Sequence, residues 1–231
     1  MNNKNIFFLF IIIFISSTIL FNKKIIEIYF LHKLSNWVEK DVIIKDFQIK
    51  YPDLISIKNL EVKSSNSVYY DLIFEAKNIT VKLDLNSFLS GDLRIINNLT
   101  IEEPKFYLEV VQKNSKLDTE SESNDQIVYE DNIGIAQKIN QNFPDKVWPV
   151  KKKDINFLIL KSRISNGISY VKISPILKES EILLSDFEFT STGNLKGHQH
   201  YKDVLKIMLF DIFSRETNIK KKRILKTIYK F

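Results

Sequence analysis

Cysteine is absent from the 231 residues, which removes disulfides, cysteine zinc sites, iron-sulfur clusters and thiol nucleophiles together. Histidine occurs three times, at His32, His198 and His200, too few for a histidine-rich catalytic metal centre. His198 and His200 stand two apart in LKGHQHY without a further ligand cluster beside them, and read as a capping loop. Glycine is scarce, with five residues at 91, 134, 167, 193 and 197. Neither GxGxxG nor GxxxxGK followed by Ser or Thr can be assembled from those positions, so glycine-cradled phosphate sites are excluded as motifs. Ser169 and Lys172 satisfy S-x-x-K. In a strand, positions three apart point to opposite faces, so that hydroxyl and amine do not meet. Together these absences argue against an enzyme and imply neither a metal nor a cofactor.

Charge is unevenly placed. The formal net charge is +6. From Lys196 to Phe231 ten Lys/Arg face three Asp/Glu, or +7, leaving −1 for everything before. The amino end carries the long apolar run: Ile6 to Phe21 holds no charge, and includes Ile6, Phe10, Ile13, Phe14 and Leu20. As a helix it covers roughly 24 Å, short of the roughly 30 Å hydrocarbon core. Alone it fits a signal-peptide core. A retained anchor is favoured because no small-x-small cleavage site follows cleanly and the apolar pattern resumes at Ile25, Ile26 and Ile28. Lys4, Lys23 and Lys24 compete under the positive-inside rule and leave the orientation open.

Beyond Asp41 the period changes to two. Val42 to Lys50 and Leu54 to Lys63 read as strands split by Tyr51-Pro52-Asp53, a turn signal. Ile79, Val81, Leu83 and Leu85 alternate with polar residues, as do Leu93, Ile95, Leu99 and Ile101, and then Phe106, Leu108 and Val110. This is the pattern of antiparallel strands with one apolar face. Asn86 to Gly91 reads as one helical turn capped by Asn86. Lys113 to Asp131, acidic and serine-rich, reads as a flexible linker. Strands resume at Ile155 to Ile164, with Asn166-Gly167 as a hairpin turn into Ile168 to Ile173, and again at Glu181 to Thr190. From His200 onward the spacing of Val204, Leu205, Met208, Leu209, Ile212 and Phe213 is helical.

In order and phrasing the chain resembles the AsmA-like family of bacterial envelope proteins, over roughly residues 1–190. The resemblance rests on an amino-terminal membrane helix, the phrase Ile57-Lys58-Asn59-Leu60, the element Asp84 to Ile95, and Leu99 to Leu108 with Pro104. Asn166-Gly167 looks like the family's recurring hairpin. It implies an inner-membrane, single-pass protein with its body in the periplasm. Its function would be non-enzymatic, in lipid handling or outer-membrane biogenesis. Its partners would be membrane lipid and other envelope proteins, with no nucleic acid and no small-molecule substrate.

The expected organisation is α+β. An anchor (1–31) leads to a first β region (32–112), the acidic linker (113–131), a second β region (132–195) and a basic helical tail (196–231). A curved, mostly antiparallel sheet would form a gutter lined by Ile79, Val81, Leu83, Leu85, Leu93, Ile95, Phe106 and Leu108, or else close as an ordinary core. The tail is a solvated end, a nucleic-acid contact, or an amphipathic helix. In the last case Ile224, Leu225, Ile228 and Tyr229 would enter a membrane interface and Lys220, Lys221, Lys222 and Arg223 would meet anionic lipid. The rival reading from another class is a structural or interaction protein with a closed β core and a membrane- or partner-binding basic tail.

Overall fold

A computed structural model describes residues 24–32, 34–36, 40–50, 52–64, 68–90, 93–114, 127–132, 156–174 and 177–229. Residues 1–23, which hold the expected anchor, lie outside them, as do Gly91 and most of the expected acidic linker. Among the described residues no helix is long and apolar enough to cross a membrane.

The chain is α+β, built on a ten-stranded, mostly antiparallel sheet. Helix α1 covers residues 24–32. Strands β1 (Val42–Lys50), β2 (Leu54–Lys63) and β3 (Leu72–Leu83) form a meander. The short helix α2 (Leu85–Ser90) leads into β4 (Leu93–Asn114), 22 residues long. Strand β5 (Ile127–Asp131) returns along the end of β4. Strands β6 (Asn156–Ser165), β7 (Ile168–Ser174), β8 (Leu177–Leu183), β9 (Phe187–Gly193) and the two-residue β10 (Gln199–His200) complete the sheet. Helices α3 (Tyr201–Arg215) and α4 (Ile219–Tyr229) close the chain. The two expected β regions are thus one sheet, and both ends of the expected linker are strand. Asp84, rather than Asn86, caps α2: its Oδ1 accepts from the Ser87 amide at 3.0 Å.

Asn166-Gly167 does not make a hairpin. A two-residue hairpin turn of the expected kind needs positive φ at both central residues, and only Asn166 has it, at 56°. The chain therefore continues forward. β6 and β7 both run parallel to β4, β6 beside Leu93–Glu102 and β7 beside Lys105–Val111. Likewise β8 pairs with β7 and β9 with β6, so the expected strand from Glu181 to Thr190 is broken at Leu184 to Asp186.

These breaks belong to one seam that crosses the sheet. On one side Phe47, Ile57, Ile79, Ile101, Ile164 and Phe187 pair in a row, strand to strand. Beyond it lies a second row, Ile49, Ile55, Val81, Leu99, Ser162 and Phe189. On the other side the rows are Ile44, Leu60, Ala76 and Pro104, then Val42, Val62, Phe74, Phe106, Ser169 and Ile182. Strict alternation would turn one side of this pattern to solvent, because a one-residue slip exchanges the faces. Each line instead places two polar residues between its inward positions at the seam: Lys45-Asp46, Lys58-Asn59, Lys77-Asn78, Glu102-Glu103, Ser165-Asn166 and Ser185-Asp186. Asn59 and Glu103 both hold φ at 50°. In these lines, and at Asn166, the left-handed residue absorbs the change of parity, and in every line the apolar rows stay on one face.

Candidate functional site

The helices cover the apolar face from opposite sides. Phe30, Leu31 and Leu34 pack on a cluster of Ile44, Phe47, Ile57, Leu60, Val62, Ile73, Ala76 and Ile79. The Phe30 and Phe47 rings lie 5.4 Å apart. α3 and α4 press Met208, Leu209, Ile212, Phe213, Leu225 and Tyr229 onto Leu108, Val110, Val171, Ile173, Ile182 and Phe187. Ile101 touches both clusters and joins them.

This packing sorts the expected gutter residues. Ile79 is 8% exposed and Leu108 1%, so both sit in closed core and neither lines an open groove. The reason is helical cover, from α1 for Ile79 and from α3 and α4 for Leu108. Val81 is half-buried beside Ile55 and Leu99, at the edge of the α1 cluster. Phe106 is half-buried against Phe74, ring centroids 5.1 Å apart. Leu83, Leu93 and Ile95 are half-buried at strand ends. Leu85 belongs to α2, not to a strand, and is 37% exposed. The half-open apolar surface is therefore the outer row, Ile55, Val81 and Leu99, continued by Leu83.

The expected anchor residues Ile6, Phe10, Ile13, Phe14 and Leu20 lie outside the described residues. The segment directly after them is informative. α1 turns Phe30 and Leu31 to the sheet while Ile25, Ile26, Ile28 and Tyr29 stand exposed. One helix thus has apolar residues on both its packed and its open sides.

The carboxyl end is not a tail. α4 buries Lys221, Leu225 and Tyr229, one turn apart, in the core. Leu225 and Tyr229 therefore do not enter a membrane interface, with Ile224 and Ile228 packed beside them. Lys221, 1% exposed, is withdrawn from the surface set. Lys220 and Arg223 are exposed and Lys222 half-buried. With Lys226, Thr227 and Ile219, Lys222 and Arg223 line a shallow open hollow of about 420 Å³ on the outer side of α4.

Lys221 is the centre of a buried polar cluster that composition does not announce. Its Nζ donates to Ser180 Oγ at 2.6 Å and to the Val171 carbonyl at 3.2 Å. The Ser180 hydroxyl donates to Glu216 Oε1 at 3.2 Å, which also accepts the Asn218 amide at 2.8 Å. Asn218 in turn caps α4 by accepting the Lys221 amide. Burial pushes the Lys221 ammonium below its ordinary value, Glu216 opposes that, and Lys172 adds to it. The cluster stitches β7 and β8 to the corner between α3 and α4. A second stitch holds the β8–β9 break. Asp211 accepts from the Ser185 amide at 2.9 Å and hydroxyl at 3.0 Å, and from Arg215 at 3.0 Å. Burial would raise its carboxyl, but those bonds hold it below the usual range.

The opposite face is polar and aromatic. Tyr107 stacks on Tyr170 at 5.3 Å, Tyr70 lies 5.3 Å from Tyr107, and Lys172 sits 4.9 Å above Tyr69. Ser169 points into the core while Lys172 reaches Tyr69, so the S-x-x-K residues lie on opposite faces. Tyr70 donates to Glu179 Oε2 at 2.5 Å. Burial first and Glu179 second push the Tyr70 phenol up; for Tyr107 it is burial and then Glu75. Beneath this layer Glu109 is fully buried and its Oε2 accepts the amides of Val68 and Tyr69 at 3.1 and 2.9 Å. Its place on an outward strand position, beside tyrosines, was the available sequence signal; the loop that covers it gives none. Among the described residues, no three of His, Asp or Glu gather as metal ligands would.

Comparison of the chain with protein-family models, with curated proteins and with solved structures returned no match.

Proposed function

We propose that this chain is a membrane-anchored, AsmA-like envelope protein without enzymatic activity, with its body in the periplasm, that handles lipid or supports outer-membrane assembly. The observation that carries the reading is α1. Its exposed Ile25, Ile26, Ile28 and Tyr29 follow the uncharged run Ile6 to Phe21 after Asn22, Lys23 and Lys24, while Phe30 and Leu31 rest on the sheet. A lipid leaving the bilayer past Lys23 and Lys24 would meet the exposed apolar residues of α1, whose other side packs on the cluster that Ile55, Val81 and Leu99 border. The basic outer side of α4, with Lys220, Lys222 and Arg223, adds attraction to anionic headgroups.

The rival reading, a closed-core interaction protein, draws its support from the cover over Ile79 and Leu108. Photoreactive phospholipid in vesicles holding the full chain separates the two. Labelling of Ile55, Val81 and Leu99 supports lipid handling. Labelling confined to the amino-terminal run and α1 overturns it. Val81→Asp should abolish the strand labelling and leave the melting transition in place, whereas Ile79→Asp should unfold the domain.

A further inference from the structure

The apolar rows run off one edge of the sheet. Among the described residues β1 pairs with β2 alone, so Val42, Ile44, Phe47 and Ile49 end those rows at an edge strand. β1 has nine residues and no proline. Ile43 and Ile49 are 42% and 39% exposed. Among the described residues the Val42 amide at its start is engaged from outside the ladder, donating to Ser35 Oγ at 3.3 Å. A long apolar edge of this kind is a template for another strand unless its charges forbid pairing.

We propose that the occupant is a second copy of this chain, paired antiparallel through β1 in the register that sets Lys45 opposite Asp46. The sequence of β1 is self-complementary in that register. Ile44 then faces Phe47 and Val42 faces Ile49, so inward apolar residues meet inward apolar residues. Asp41 faces Lys50, and each copy's Lys45 meets the other's Asp46. Neighbouring registers fail on both counts. A slip of one residue sets Asp46 against Asp46 and Ile44 against Gln48; the opposite slip sets Lys45 against Lys45 and Ile44 against Asp46. The charges that guard this edge against other strands thus select this one. Lys45 now bridges to Glu61 at 3.2 Å with a largely exposed side chain, and Asp46 accepts from Gln48, so both can turn to a partner at little cost. The seam makes the match possible. Its extra polar residue puts Ile44 and Phe47 three apart, so the strand reads the same inward pattern from either end. The two copies form one sheet whose apolar rows are continuous across the two-fold axis.

The absence of cysteine makes the register directly testable in the full chain, in nanodiscs. Ile43→Cys and Gln48→Cys chains should form a disulfide-linked dimer on oxidation when mixed, and little when each is oxidised alone, because only the mixture puts thiols directly opposite. Lys45→Asp should weaken the dimer about tenfold, through two reversed cross-strand contacts. Lys45→Asp with Asp46→Lys should restore it, although the Glu61 bridge stays lost. Equal cross-linking in all three samples, a monomeric mass for the unmodified chain, or no recovery in the double variant overturns the proposal. This outcome is independent of whether the apolar face carries lipid.

Discussion

Lys221 Nζ lies 2.6 Å from Ser180 Oγ, in a pocket closed by α4 itself and floored by the Val171 carbonyl. A lysine in the KKKR run of a basic chain end is thereby a core residue, and its removal should cost accordingly. Lys221→Ala leaves the Glu216 carboxylate and the Ser180 hydroxyl buried without the ammonium, and should destabilise by about 2–4 kcal/mol. Lys221→Met combined with Glu216→Gln should recover most of that loss. Lys220→Ala, at an exposed site, should be within about 0.5 kcal/mol of the parent. Urea midpoints of the variants decide the matter.

α4 should behave as core in a second way. Leu225 is fully buried between the helix pair and the sheet. Leu225→Ala should cost about 2–5 kcal/mol and lower the melting temperature whether or not membrane is present. A helix that packed only on lipid would leave the melt in detergent-free buffer unchanged.

The response to alkali carries two opposite signs. Burial, then the Asp131 carboxylate, hold the Tyr229 phenol well above its ordinary 10.0, and Tyr70 and Tyr107 are raised too. The unfolded chain gives up those protons near pH 10 while the folded chain keeps them, so their contribution is complete below that pH and lost above it. Lys221 runs the other way. Its folded value lies below 10.5, so the unfolded chain binds the extra proton and this contribution grows as pH rises toward 10.5. Stability should therefore fall once the pH passes about 10. Tyr229→Phe should weaken that fall, and Lys221→Met should remove the opposing rise. Urea midpoints measured from neutral pH into the alkaline range check each sign.

The seam predicts a dependence on backbone conformation at Asn59, where φ is 50°. Asn59→Gly should be neutral or slightly stabilising, since glycine reaches that region without strain. Asn59→Val should cost about 1–3 kcal/mol, because a β-branched residue is poorly accommodated there. Equal melting temperatures for the two variants would show that the parity change is absorbed elsewhere.

Much of the sheet is written in the sequence, because local alternation and the Tyr51-Pro52-Asp53 turn act over a few residues. Val42–Lys50 and Leu54–Lys63 are the observed β1 and β2 to the residue. The helical spacing after His200 is that of α3. What local pattern does not carry is partner choice. Asn166-Gly167 has the composition of a hairpin, yet only Asn166 takes a positive φ, and Gly167 serves close packing instead: a Cβ there would meet Leu184 Cδ1 at 3.1 Å and Pro104 Cγ at 3.4 Å. The shift from odd inward positions at Leu99 and Ile101 to even ones at Phe106 and Leu108 was visible as a break in period, but its repetition in every line emerges only once the lines are aligned. Lys221 escaped because a buried lysine and a solvated one look alike in a basic run; only the spacing to Leu225 and Tyr229 marks its face.

The parallel pairing of β4 with β6 fixes an order of events during synthesis. Leu93 pairs with Asn156, 156 − 93 = 63 residues later. At about 5–20 residues per second, the long edge of β4 waits on the order of 3–13 seconds for the strand that will cover it. Through that interval β1 to β4 present a sheet with Leu99, Ile101, Phe106 and Leu108 but without α3 and α4, the helices that later cover Phe106 and Leu108. An amino-terminal segment that reached a membrane early would hold this half-built sheet away from other nascent chains while the remainder is made.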